Sequence, residues 1–85
     1  MDISRAEQRV LHALAQGGVI HALKTETGKI ADVECFNREG WRMTNCTLSL
    51  FRKLKRRNAI ASSGGGPYRI TRRGLELVRS EVDNR

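Results

Sequence analysis

Five basic residues, Arg52, Lys53, Lys55, Arg56 and Arg57, fall within a six-residue stretch of "LFRKLKRRNAI". Arg69, Arg72 and Arg73 follow beyond a run of three glycines. Side chains of this type neutralise phosphates and release counterions, so the chemistry they offer is polyanion binding that is strong at low salt and blind to sequence. Asn45 and Ser49 are the polar residues just upstream that could reach base edges from the first turn of a helix. The same cluster also suits an acidic protein surface, and a charge run can simply be a solvated helix face.

Other candidate chemistry is sparse. Cys35, Cys46, His12 and His21 are metal-ligand types, but they form no C-x-x-C or H-x₃-H pair of the kind structural zinc uses, so no metal is expected. The cysteines read as small core residues, reduced in a cytosol. No serine, histidine and carboxylate are arranged to mark a nucleophile or an activated base, so neither an enzyme nor a cofactor is expected. Gly64, Gly65 and Gly66 lack the G-x-x-x-x-G-K-[ST] spacing of a phosphate loop and precede a strand-like segment, so they read as a hairpin tip. Trp41 and Phe36 bracket "NREG"; Trp41 reads as a lid over the core edge, with an interface anchor as the alternative.

The chain has 85 residues and a net charge of +7, which fits one domain (1–85) with a modest core. Residues 1–46 are balanced, and the whole basic excess lies in 47–85. That asymmetry favours an acidic partner for the second half. No apolar run reaches the length of a membrane span and no secretory h-region opens the chain, so a cytoplasmic protein with no membrane partner is expected.

The elements that must position these residues can be read from caps and periodicity. Ser4 and Glu7 form a capping box that opens a helix over 4–15, with Ala6, Val10, Ala13 and Leu14 on one face and Gly17 and Gly18 as the stop. "VIHALK" and "KIADVECF" flank a turn at Gly28 and predict a hairpin over 19–36, with Ala31, Val33 and Cys35 facing the core. "NREGWRM" reads as irregular. A second helix over 45–57, capped by Thr44 or Asn45, places Leu48, Phe51 and Leu54 inward. Its outer face then holds Asn45, Ser49, Arg52, Lys53 and Arg56. A second hairpin follows over 59–71, then a Thr71-capped helix over 72–82 with Leu75, Val78 and Val82 on one side. The expected class is α+β, in the order helix, hairpin, helix, hairpin, helix.

Residues 44–78 resemble the recognition helix, wing and following helix of winged-helix domains, in which a helix enters the major groove. This resemblance implies a DNA-binding transcriptional regulator. It departs from the usual pattern upstream, where a hairpin and the "NREGW" loop stand in place of a preceding helix. Over nearly the whole chain, "SRAEQ", "LHALAQGG", "VECFNREGW", "TNCTLSLFRKLK", "GGPYRI" and the terminal "DNR" resemble the YjhX-type family of small bacterial proteins. That resemblance implies a toxin that inhibits DNA topoisomerase I, paired with an acetyltransferase-like antitoxin. It carries over no functional residue.

Overall fold

The computed structural model describes residues 3–83, the side chains of 80–83 excepted. Helix α1 spans Arg5–Ala15, and its start is set by the expected reciprocal cap. The Glu7 backbone N–H donates to Ser4 Oγ at 3.1 Å, and the Ser4 N–H donates to Glu7 Oε1 at 3.0 Å. The buried stripe is Glu7, Val10, Leu11 and Leu14, at the 3-4-7 spacing of one helix face. Ala6 is exposed and Ala13 only half-buried, because the buried stripe centres on Glu7 and Leu14 and takes in Leu11 instead.

Strands β1 (Val19–Lys24) and β2 (Ile30–Phe36) form the predicted antiparallel hairpin, with Ile20 opposite Cys35 and Ala22 opposite Val33. Ile20, Val33 and Cys35 are buried, while the alternate residues His21, Leu23 and Asp32 are exposed, so one face of the sheet carries the core. Ala31 is exposed, because the ladder shifts register between Leu23 and Lys24 and the alternation breaks there.

The segment "NREGWRM" is more ordered than expected. Arg42–Met43 is a third strand, β3, which pairs with β2 through Cys35 opposite Met43 and Phe36 opposite Arg42. The order is therefore helix, three-stranded meander, helix, hairpin, helix, not the simpler alternation expected from the sequence.

Helix α2 spans Leu48–Arg56, and its N-cap is Thr47, not Thr44 or Asn45. The Thr47 hydroxyl accepts from the Leu50 N–H at 3.1 Å, so the residues before it stay outside the helix. Leu50, Phe51 and Leu54 are buried, and Leu48 is half-buried against the same cluster. Asn58 ends the helix at φ 61°, a left-handed position that asparagine tolerates better than most residues.

Strands β4 (Ile60–Ser62) and β5 (Tyr68–Ile70) form the second hairpin within the expected 59–71. Its tip is closed by Ser62 Oγ, which donates to the Gly66 carbonyl at 2.7 Å. Tyr68 pairs with Ile20, and this joins both hairpins into one five-stranded antiparallel sheet of order β3-β2-β1-β5-β4.

Helix α3 spans Arg72–Asp83 and is capped as predicted: the Gly74 N–H donates to Thr71 Oγ1 at 3.1 Å. Leu77 and Val78 are buried, whereas Leu75 is only half-buried. The Val82 side chain lies outside the described residues. Gly74 sits where α3 approaches the Ala59 carbonyl, and a Cβ there would strike that oxygen and Ile70 Cγ1. The molecule is a mixed α/β fold in which α1, α2 and α3 share one buried cluster with the sheet. No helix among the described residues is long and apolar enough to cross a membrane.

Candidate functional site

Helix α2 sorts its side chains by angle. At 100° per residue, Leu50, Phe51 and Leu54 centre on the core, and Ser49, Arg52 and Arg56 centre on the opposite side. All three of the latter are exposed. Lys53, at the edge of that outer side, and Lys55, on the opposite flank, are also exposed. Lys53 and Arg56 border a shallow groove toward α1 with Glu7 and Arg57. Lys55 leans the other way, with Nζ 5.8 Å from the centre of the Tyr68 ring. That ring meets Phe51 edge-on at 4.9 Å, which fixes the sheet against the helix. On this flank Lys29, from the β1–β2 turn, joins Arg52 and Lys55 around a cleft floored by Ile30, Leu48 and Phe51. Lys29 is not legible in the sequence as a member of the basic set, since only the fold brings the hairpin turn to the helix.

The candidate contact residues read from the sequence do not form one patch. Ser49, Arg52, Lys53 and Arg56 share the outer side of α2. Asn45 is half-buried in the turn before Thr47 and not on the helix. Arg57 serves the framework instead, since its Nε donates to Glu7 Oε2 at 3.0 Å and Glu7 is only 2% exposed. Arg69 alternates with Tyr68 and Ile70, which pack on the core, so it lies on the sheet face away from α2. Arg72 and Arg73 are exposed on the first turn of α3, where Arg73 Nη1 lies 3.6 Å from Glu76 Oε1.

Burial pushes the Glu7 carboxyl up. The Ser4 backbone and hydroxyl, together with Arg57, outweigh burial and hold it below its ordinary value. The Glu7 carboxylate is thereby kept ionised in a nearly dry position.

Trp41 departs most from expectation. It is 73% exposed and covers no core edge. Its backbone is nevertheless firmly held. The Asn37 N–H donates to the Trp41 carbonyl at 2.9 Å, and the Gly40 N–H donates to the Asn37 carbonyl at 3.0 Å. Asn37 Oδ1 also accepts from the Glu39 and Trp41 N–H groups, at 3.0 and 2.9 Å. Gly40, at φ 89°, supplies the left-handed residue this tight turn requires. The result is a large aromatic surface presented to solvent from a rigid turn.

The four potential metal ligands do not converge. His12 and His21 are exposed on α1 and β1, while Cys35 and Cys46 are free thiols in the core. Among the described residues no group of three His, Cys, Asp or Glu side chains could hold a metal ion.

Comparison with known proteins places the chain in a group of short bacterial sequences. It is 65% identical to a "UPF0386 protein" of Chelativorans sp. over the full length of both chains. It is 64% identical to the protein of that name from Hyphomonas neptunium, covering 99% of each. It is 62% identical to the one from Rhizobium rhizogenes, again over the full length of both. No solved structure matches the chain. A family model described as "Putative toxin of bacterial toxin-antitoxin pair" matches residues 1–85, and the chain belongs to this family, the YjhX toxins.

Proposed function

We propose that the chain is the toxin of a toxin–antitoxin pair, and that it acts by binding bacterial DNA topoisomerase I and inhibiting it in the cytoplasm. A cognate, acetyltransferase-like antitoxin is the second partner. The family supports the toxin role, and the choice of enzyme rests on the whole-chain resemblance. The observation that carries a protein partner, over nucleic acid alone, is Trp41. A tryptophan 73% exposed on a pinned turn loses little conformational entropy on docking, and buried tryptophans dominate protein interfaces. The basic outer side of α2 complements this anchor by steering an acidic surface. In this reading the chain performs no chemistry and holds no cofactor.

The runner-up is a winged-helix DNA-binding regulator. It is favoured by one feature: a helix with Ser49, Arg52 and Arg56 outward, followed directly by a glycine-tipped hairpin. Binding measured by calorimetry separates the two. The leading reading expects a saturable complex with topoisomerase I in the absence of DNA, weakened by Trp41→Ala. Tight duplex binding with a steep salt slope, and no complex with the enzyme, would support the regulator instead.

A further inference from the structure

Strand β2 has a turn at each end. The turn after Phe36 presents Trp41, and the turn before Ile30 holds Lys29. Seven extended residues keep the two turns roughly 20 Å apart. The Lys29 backbone is pinned, as that of Trp41 is. The Thr25 N–H donates to the Lys29 carbonyl at 2.7 Å, and the Lys29 N–H donates to Thr25 Oγ1 at 3.2 Å. This turn meets α2, where Lys29, Arg52 and Lys55 stand around the cleft floored by Ile30, Leu48 and Phe51. All three cations are exposed. Arg57 and Arg73 have carboxylate partners, but no carboxylate among the described residues pairs with any of these three. No acidic side chain lines the cleft. Like charges gathered at one cleft repel, so the arrangement adds nothing to the fold.

We propose that this cleft is a second docking surface, which takes an acidic peptide segment of a protein partner. One apolar side chain of that segment lies on the floor, and carboxylates on either side of it meet Lys29, Arg52 and Lys55. The charge sets the sign of the occupant, and the floor sets its class. Ile30 and Leu48 are only half-buried, so they keep apolar area that an occupant removes from water. A phosphate backbone would meet the cations but leave that floor wet; an acidic segment with an apolar side chain answers both. The inference rests on reading the chain as a protein-binding one, but not on which enzyme Trp41 meets. Because Trp41 stands at the other end of β2, a segment held in the cleft leaves the tryptophan free for another partner.

The test uses the full-length chain and a fluorescein-labelled acidic peptide, DEDLEDE, followed by fluorescence anisotropy at physiological salt. Binding should be saturable. Replacing the leucine of the peptide by serine should weaken it at least about tenfold. Lys29→Glu should also weaken it about tenfold. Arg72→Glu makes the same change in net charge elsewhere, since Arg72 follows β5, which runs away from the Lys29 turn. It should alter affinity less than about twofold, because distant charges are screened. The emission of Trp41, the only tryptophan, should not shift when unlabelled peptide binds. No binding, equal binding of the leucine and serine peptides, equal loss in the two variants, or a shift of Trp41 emission would each overturn the proposal. Displacement of the peptide by a short DNA duplex whose own binding needs Lys29 would also overturn it, by making the cleft a phosphate site. A failure here leaves the enzyme complex untouched, since that is read separately through Trp41→Ala.

Discussion

Arg57 Nε lies 3.0 Å from Glu7 Oε2, and the contact joins the end of α2 to the first turn of α1 across fifty residues of chain. Glu7 also completes the capping box with Ser4, so one buried carboxylate starts one helix and fixes the end of another. Arg57→Ala leaves that carboxylate buried without its cation and should cost about 1–3 kcal/mol in chemical denaturation. The pH dependence has a definite sign. Glu7 is held below its ordinary value, so its contribution is present above the unfolded carboxylate range and lost as pH falls through the folded value. The deficit of Arg57→Ala relative to wild type should therefore be largest near neutrality and shrink in acid, where Glu7 is protonated in both. A deficit independent of pH would mean that Arg57 acts by packing alone.

Leu54 is fully buried at the centre of the inner side of α2. Leu54→Ala should cost about 2–5 kcal/mol, read as a shift in denaturant midpoint at constant slope. A change near zero would mean that α2 does not anchor the core.

Gly74→Ala discriminates more sharply. In an open helix this change stabilises by about 1 kcal/mol. Here the new methyl meets the Ala59 carbonyl and Ile70, so the variant should lose about 1–3 kcal/mol. A stabilised variant would place α3 farther from the β4 edge.

Trp41→Ala should separate binding from folding. Nothing in the core rests on the ring, so stability should stay within about 0.5 kcal/mol of wild type. Affinity for topoisomerase I should drop by about 2 kcal/mol or more, roughly thirty-fold. Arg52→Glu combined with Arg56→Glu should slow association and weaken its salt dependence while leaving the melting temperature nearly unchanged.

Local signals are legible in the sequence, and long-range ones are not. Ser4 and Glu7 announce α1 by a three-residue spacing, and Thr71 announces α3 in the same way. Thr44, Asn45 and Thr47 are all competent caps, and only the turn out of β3 decides for Thr47. A two-residue strand such as Arg42–Met43 has no periodicity to read; it exists because β2 offers it an edge. The outer side of α2 follows from helical geometry, so Ser49, Arg52, Lys53 and Arg56 can be grouped from spacing alone. Arg57 joins that group by charge, because nothing nearby in sequence points to Glu7. Arg69 also joins it by charge, although strand alternation with Tyr68 and Ile70 sends it to the other face. The exposure of Trp41 depends on the turn pinned by Asn37, which composition does not encode.

The central claim is that this chain acts on an enzyme and not on its DNA. Relaxation of supercoiled plasmid by topoisomerase I tests it most directly, with enzyme varied at fixed DNA and DNA varied at fixed enzyme. The account predicts that half-inhibition tracks the ratio of this protein to enzyme and is insensitive to added DNA. Inhibition that instead follows the ratio of protein to DNA would mean the basic helix merely coats the substrate, and would contradict the account.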